Sequence, residues 1–561
     1  MTDHPVEALK AASSHLRGNL AEEVASPDPS FSKDGQVLVK FHGFYQQKDR
    51  FEKTKPPVLM LRGRIPGGRL SAEQYLAWDH LADSYGDGTL RLTSRQSLEL
   101  HGVLKGDVKA TLLGLQAALQ TTKGACGDVV RTVTQAPNPW LRPDLAQLDV
   151  VVDRLASHFQ ATSNAYAEIW LDGERVDPER EQERLYGPTY LPRKFKISVT
   201  VTGENLVDLY TNDLGLAASF DSKGFLNGFF VLAGGGMGMT HGDDTTFPRV
   251  ADLLGWIPPA ALLPVAEAVV GVHRDEGNRE DRKRARLKYV IARKGLPWFR
   301  AEVEARAGIT FEARAIPPWH TTPVLGWLDR ADGSLALGLS IRSGRIGGPL
   351  KAALQEVVRT FRPALQLSPD QDLILLGLEP EDRPLVEAVL ARHGQPLKAG
   401  DPLAARAMAC VALPLCGLAL AEAERILPDR LDNIRGALSR QGLGDRSLIF
   451  RMTGCANGCA RPYTAELALV GQTAKSYALY AGGDPEGTRL AFPVAHKLTL
   501  EEFPSALDRL FAAWATQGLQ HEAFGDFTAR LGADELRQVL ELKAEADRVS
   551  PLPWTSDSPL P

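Results

Sequence analysis

The sequence predicts an α+β protein of several domains, one of which is assembled from two similar halves in a pseudo-twofold arrangement. Three features predict it. At 561 residues the chain is too long for a single hydrophobic core, and common domain sizes divide it into roughly three or four. From Val58 the pattern reads strand, turn, helix, strand: VLMLRGRIPGG, then SAEQYLAWDHLADSYG at helical spacing, then the alternating TLRLTSRQSLELHGV. The same order returns from Leu335, where LALGLSIRSGRIGG precedes the helical PLKAALQEVVRTF and the strand-like LQLSPDQDLILLGL, so that LRLTSRQSLELHGV from Leu90 can be laid on LQLSPDQDLILLGL from Leu365.

Taken in order, residues 1–56 form a polar and aromatic arm with little continuous periodicity, ending in KFHGFYQQKDRFEKTKPP and expected to wrap another domain. Residues 57–123 are the first α+β half and residues 320–395 the second. Between them lies an insertion of about 190 residues, 124–319, long enough for an α/β domain of its own. Residues 396–561 carry the paired cysteines and make a further domain, with 551–561 as a loose tail.

The hydrophobic fraction is 44%, the charged fraction 24%, and no stretch approaches the length of a membrane span, which predicts a soluble protein with no membrane partner. A formal net charge of -5 argues against a nucleic-acid surface and leaves room for local basic pockets. MTDHPVEALKAAS at the start has neither the basic nor the apolar segment of an export signal, so a cytoplasmic location is expected and disulfides are not.

Four of the five cysteines fall in two pairs, Cys410-x5-Cys416 and Cys455-x3-Cys459, each among glycine, proline and small residues. Four such thiols predict a thiolate-held metal centre. The five-residue gap suits zinc poorly, whereas an iron–sulfur cluster tolerates varied spacing; by spacing alone a cluster, zinc and unliganded thiols all stay open. Cys126 stands alone and reads as a buried small residue.

Basic residues fall on strand-like segments. Alternation in TLRLTSRQSLELHG places Arg91, Thr93, Arg95, Ser97, Glu99 and His101 on one face, which alone would read as a solvated sheet face. In YLPRKFKISVTVT it projects Lys194 and Lys196 to one side, two ammonium groups that repel by roughly 2 to 4 kcal/mol at an effective dielectric near 20 unless solvent or an anion relieves them. Arg131 lies in another β-rich stretch. The run NREDRKRARLKY from Asn278 reads as a basic helix, either a solvated face or a source of guanidinium partners for a polycarboxylate. GGGMGMTHG from Gly234 lacks the register of a dinucleotide turn and fits a close backbone approach to a flat ligand. Thiols and basic faces by themselves would also suit a zinc-stabilised, non-catalytic anion-binding protein.

These elements together resemble the nitrite and sulfite reductase hemoprotein family. The resemblance spans nearly the whole chain through KFHGFYQQKDR, GTLRLTSRQSLELHGV, GDVVRTVTQAPNP, YLPRKFKIS, GGGMGMTHGDDTTFPR, HRDEGNREDRKRARLKY, ACVALPLCGLALAEAERILP, RMTGCANGCARPY and AFGDFTARLG. It implies a three-domain siroheme reductase architecture: a pseudo-twofold domain of two ferredoxin-like halves and two α/β cofactor-binding domains. It also implies siroheme and a 4Fe-4S cluster, with Cys410, Cys416, Cys455 and Cys459 as cluster ligands and Cys459 bridging to the siroheme iron. Arg95, Arg131, Lys194 and Lys196 would form the anion-binding pocket, and Asn457, Gly235, Thr240 and His241 would join them and Cys459 around the siroheme. The basic run from His273 would supply counter-charges to siroheme's carboxylates.

The implied activity is the six-electron reduction of sulfite to sulfide, with nitrite as the alternative substrate. Gly458 looks like the sulfite branch, where the nitrite branch has serine; Ala456 departs from the family's usual proline, which loosens that turn. No flavin or NADPH module is apparent, so electrons must come from another protein, and CARPY after the last cysteine looks closer to ferredoxin-dependent enzymes than to those paired with an NADPH-dependent flavoprotein subunit.

Overall fold

The structure is a computed structural model, and it describes residues 4–541 apart from 53, 162, 164–168, 172–173, 177–182, 184 and 398–399. Contacts divide the chain into two compact units, Met1–Gly235 with Ala251–Gly400, and Gly236–Val250 with Asp401–Pro561. The short glycine-rich segment, read from sequence as part of 124–319, therefore groups with the cysteine-bearing residues.

In the first unit the duplication appears element by element. The first half runs Val58–Arg62, a 3-10 turn Pro66–Gly68, the short strand Arg69–Leu70, helix Ala72–Tyr85, strands Leu90–Leu92 and Leu98–Val103, a second 3-10 turn Lys105–Asp107 and helix Val108–Ala117. The second half repeats it with Leu335–Leu339, Arg342–Gly344, Arg345–Ile346, Gly348–Phe361, Ala364–Leu367, Leu373–Leu378, Pro380–Asp382 and Arg383–Arg392. Each half lends its two-residue strand to the other's sheet: Arg345–Ile346 pairs with Leu90 and Arg91, and Arg69–Leu70 with Leu365 and Gln366. The exchange is reciprocal in side chains too, since Gln96 Nε2 donates to the Leu367 carbonyl at 2.7 Å and Gln371 Nε2 to that of Leu92 at 3.3 Å. One apolar core joins both halves, with Tyr75, Trp78 and Leu100 packed in the same cluster as Leu337, Leu354 and Leu375. The helix starting at Ala72 is set by a capping box, Ser71 and Gln74 satisfying each other's backbone N–H groups.

The arm is less separate than its sequence suggests. Its strand Phe44–Gln47 pairs antiparallel with Val58–Arg62 and becomes the edge of the first half's sheet, while helices Pro5–Ala12, Leu20–Ala25 and Lys33–Leu38 precede it. Cys126 is buried, as read, and accepts a hydrogen bond from Arg62 at 3.1 Å.

Both units also contain a five-stranded sheet of one topology. In the first, Thr134–Gln135, Ile197–Val201 and Leu214–Phe220 run parallel before Leu226–Ala233 and Asp252–Ile257 turn antiparallel. In the second, Met408–Ala409, Phe450–Thr453 and Leu467–Thr473 are parallel, then Ser476–Ala481 and Phe492–Thr499 antiparallel. This second duplication was not read from the sequence. No helix among the described residues is long and apolar enough to cross a membrane.

Two local expectations are corrected. The polar alternation around Arg95 is not one strand but a hairpin, with Arg91 opposite Glu99 and residues 93–97 as its turn. Alternation survives across the turn because the flanking strands share a face, and the turn contains no glycine or proline to betray it. That face is buried rather than solvated: Glu99, 2% exposed, pairs with Arg62 at 2.5 Å and lies 3.4 Å from His101. The basic run from Asn278 is not a helix; it is a loop with a 3-10 turn at Arg282–Arg284, and the helix starts at Leu287. Asn278 and Asp281 side chains accept backbone N–H groups there, which stabilises the loop in place of helical bonds.

Candidate active site

Within the first unit, the sequence-predicted cations meet at the amino-terminal ends of neighbouring parallel strands. Phe195 bridges Val130 in parallel, the Arg131 N–H donates to the Phe195 carbonyl at 2.9 Å, and the Leu214 N–H donates to the Lys196 carbonyl at 3.1 Å. Arg131, Lys196 and Asp213 are thereby set side by side on three adjacent chain segments. Phe195 and Ile197 are fully buried while Lys194 and Lys196 keep partial exposure, the alternation expected from the sequence. Burial, then the neighbouring charges of Lys194, Arg95 and Arg286, push the Lys196 ammonium well below the ordinary lysine range, with Asp213 opposing.

Arg95 sits at the hairpin turn, and both terminal nitrogens donate to the protein: Nη1 to Asn212 Oδ1 at 2.7 Å, Nη2 to the carbonyls of Thr132 at 2.5 Å and Ile197 at 2.8 Å. It is a fixed positive charge that also fastens the hairpin to the parallel sheet. Arg131 donates through Nη2 to the Tyr45 hydroxyl at 3.3 Å, which brings the arm to the same place.

One residue here escaped sequence reasoning. Asp213 is completely buried, accepts the Lys196 N–H at 2.9 Å and receives a bidentate pair from Arg286 at 3.0 and 2.7 Å. Such a buried pair fixes geometry, and losing one member costs about 3 to 5 kcal/mol. A signal for it was present: Thr202-Gly203 followed by Tyr210-Thr211-Asn212-Asp213-Leu214 repeats as Thr453-Gly454 followed by Tyr463-Thr464-Ala465-Glu466-Leu467. Asp208 and Arg461, at matching places, share the left-handed conformation at φ 47° and 54°. Glu466 accepts the Ile449 N–H at 2.8 Å as Asp213 accepts that of Lys196.

Much of the basic run is engaged elsewhere. Arg279 and Arg282 pair with Glu7 and Asp128, and Arg286 with Asp213, so these guanidinium groups meet protein carboxylates. Gly235 does need close approach, but to the chain itself: a Cβ there would lie 2.1 Å from the Tyr210 carbonyl oxygen.

In the second unit the cysteines leave the carboxyl ends of adjacent parallel strands, Cys410 directly after Met408–Ala409 and Cys455 two residues after Phe450–Thr453. Cys455 is buried, Cys410 and Cys416 half-buried, and Cys459 exposed. The four stand close enough to act on one another: burial first, then the neighbouring Cys459, pushes up the thiols of Cys410 and Cys416, with Cys455 adding to both. N–H groups are aimed at sulfur, from Gly454 to Cys410 at 3.2 Å and from the Asn457 amide to Cys455 at 3.3 Å. Among the described residues no three His, Cys, Asp or Glu side chains gather as a single-ion site.

The loop around these thiols is fastened to Gly236–Val250. Met239 N–H donates to the Ala456 carbonyl at 2.9 Å, and the Tyr463 hydroxyl donates to the same oxygen at 3.1 Å. Gly458 adopts φ 60°, and a Cβ would come within 2.9 Å of the Tyr463 ring and 3.1 Å of the Met237 carbonyl oxygen. A serine at this position is therefore strained in this chain. Thr240 is held through its N–H to Thr246 Oγ1 at 2.8 Å, and His241 beside it is exposed.

Residues 153–311 match the family described as nitrite and sulphite reductase 4Fe-4S domain, and residues 52–118 and 329–393 each match the nitrite/sulfite reductase ferredoxin-like half domain. A ferredoxin-type sulfite reductase of Synechococcus elongatus is 42% identical over 96% of this chain and 90% of its own length. The chain belongs to the nitrite and sulfite reductase family. The NADPH-type sulfite reductase hemoprotein beta-component of Myxococcus xanthus is likewise 42% identical, over 94% of this chain and 96% of its own. The Mycobacterium tuberculosis NirA protein shares the fold at a TM-score of 0.79 and 21% identity, covering 96% of this chain and 98% of that one. The α+β architecture with two ferredoxin-like halves is thus the family's.

Membership carries two cofactors, siroheme and a 4Fe-4S cluster. The thiols present suit the cluster. The segment matching the 4Fe-4S domain, 153–311, contains no cysteine, so thiolates must come from outside it, and four neighbouring thiols, two of them with N–H donors to sulfur, are the donor set a cluster takes. Burial and neighbouring thiols push Cys410 and Cys416 toward their protonated form, and bound iron would favour the thiolate instead.

Proposed function

We propose that the chain is an assimilatory sulfite reductase acting through the cation row of its first unit and the thiols of its second. The observation supporting it most is the side-by-side placement of Arg131, Lys194 and Lys196, ammonium and guanidinium groups held in a partly buried setting beside the Asp213–Arg286 pair. In this reading Cys410, Cys416, Cys455 and Cys459 hold the cluster and Cys459 also reaches siroheme, while Asn457, Gly235, Thr240 and His241 border the macrocycle. When bound, the two groups supply an iron centre for the substrate and its electrons one at a time.

The chain's own residues bind and orient the anion. Arg131, Lys194 and Lys196 donate to sulfite oxygens, and Arg95 adds fixed positive charge from the hairpin turn. As electrons arrive ahead of protons, these cations stabilise the growing negative charge, and the lysine ammonium groups deliver protons to departing oxygens. The buried Asp213–Arg286 pair keeps the Lys196 backbone in register.

Because burial and like charges depress Lys196, its ammonium is present below its lowered pKa and lost as pH rises through it. Anion binding accordingly weakens on the alkaline side. Lys196→Arg, which stays protonated, should move the alkaline rise in sulfite KM to higher pH; comparing the two proteins cancels sulfite's own titration, and superimposable profiles would remove Lys196 from the site.

Sulfite is preferred to nitrite in this reading because Gly458 occupies a left-handed, sterically tight position that disfavours the serine of the nitrite branch. The donor is another protein, and ferredoxin is preferred on the CARPY segment after Cys459. The holoenzyme should reduce sulfite faster than nitrite, and reduced ferredoxin should outcompete an NADPH-flavoprotein donor in a turnover assay. Faster nitrite reduction would reverse the substrate assignment, and flavoprotein preference the donor assignment.

A further inference from the structure

The helix Pro5–Ala12 carries two charged side chains that are almost completely buried, Glu7 at 2% and Lys10 at 1% exposure. On a surface helix an i,i+3 pair of this kind does little. Here it is the centre of a network. Lys10 Nζ lies 2.5 Å from Glu7 Oε1, donates to the Leu191 carbonyl at 3.0 Å and stands 3.7 Å from Asp128. Glu7 receives Arg279 at 2.5 Å and Arg282 at 3.4 Å, while Asp128 receives Arg282 at 2.7 Å and faces Arg193 at 3.9 Å. Two carboxylates thus balance four cations, Lys10, Arg193, Arg279 and Arg282.

The position of this network matters more than its strength. Asp128 precedes Arg131 by three residues, and Leu191 precedes Lys194 by three. The two segments are zipped together by Leu191 N–H to Asp128 O at 3.0 Å, Phe195 N–H to Val129 O at 3.1 Å and Arg131 N–H to Phe195 O at 2.9 Å. Lys10 touches the first rung of that ladder from both sides at once, through the Asp128 carboxylate and the Leu191 carbonyl. Arg282 reinforces it by donating to the Pro192 carbonyl at 3.2 Å.

We infer that Glu7 and Lys10 are positioning residues for the anion site: the amino-terminal helix sets the spacing between the segment bearing Arg131 and the segment bearing Lys194 and Lys196. The inference rests on those three cations binding the substrate anion. Without the network the cations remain but must be ordered by the anion itself, so the binding-competent arrangement is populated less and apparent affinity falls by that fraction. Once the anion is bound the same cations surround it, so turnover at saturation changes little. Lys10→Met removes the contact to both segments. Glu7→Gln keeps the shape and removes one of the two carboxylates that hold four cations together.

The test measures sulfite KM, kcat and the sulfite-induced spectral Kd for the holoenzyme of each variant, with cofactor content read from the absorption spectrum. KM and Kd should rise about tenfold with kcat within threefold of the parent, the split expected when pre-organisation rather than a reacting group is lost. A cofactor-replete variant with unchanged KM and Kd, or with lowered kcat at unchanged KM, overturns the inference. Loss of cofactors by both variants also overturns it, since the helix would then hold the fold and not the anion site. Lys194→Met measured alongside separates the two levels: unimpaired turnover there defeats the assignment of the anion site itself, whereas an impaired Lys194→Met with parental Lys10→Met and Glu7→Gln defeats only the positioning role.

Discussion

Lys194→Met is expected to lose about two to three powers of ten in sulfite turnover while keeping the cofactor absorption spectrum. The side chain stands beside the fully buried Phe195 on a segment hydrogen-bonded to that of Arg131, so methionine, of similar length and apolar, replaces it with little disturbance to the strand. What is lost is charge. An ammonium group placed where negative charge accumulates costs nothing to reorganise during the reaction, which is why preorganised donors have large effects on rate. The same change relieves the repulsion on Lys196, whose ammonium is destabilised by Lys194 after burial, so stability should be held or improved as activity falls. Steady-state kinetics with sulfite, paired with the spectrum, check both halves, and a variant as active as its parent would exclude Lys194 from the chemistry.

Cys459→Ala is expected to abolish sulfite reduction and to uncouple the two cofactors. Of the four paired thiols it alone is exposed, while Cys455 is buried and Cys410 and Cys416 are half-buried. An exposed thiol among three less exposed ones is the one a second group could reach. Cys459 also bears on the others electrostatically, being the first neighbour after burial to raise both Cys410 and Cys416. Replacement should leave the protein folded, since this side chain packs in no core, and should lower sulfite turnover to background. The absorption and magnetic signatures of cluster and siroheme, followed as electrons are added, would show whether they still influence one another; undiminished coupling would sink the bridging role.

Much of this was legible because it is local and periodic. The duplicated halves show themselves through strand alternation and the match of residues 90–103 to residues 365–378, and Lys194 and Lys196 through alternation about Phe195. The hairpin turn at Arg95 was not legible, because residues 93–97 lack the glycine or proline that marks a turn and the alternation continues through it. The second duplication was faint, because only Thr-Gly, Tyr-Thr and an acid before leucine persist between the two segments, and the loop after Thr453-Gly454 carries Cys455 and Cys459 where the loop after Thr202-Gly203 has no cysteine.

By itself the sequence determined the α+β class, the paired halves, the four thiols and the candidate cations, since each follows from residue type and spacing along the chain. Only the tertiary structure decided which charges are committed to one another. Arg279, Arg282 and Arg286 resemble their basic neighbours in sequence, yet meet Glu7, Asp128 and Asp213, carboxylates from 73 to 272 residues away, whereas Lys194 and Lys196 come to lie beside Arg131 and Arg95. Charge pairing is a property of distance in space, falling off within a few ångströms in a polar medium, and no pattern along the chain records it.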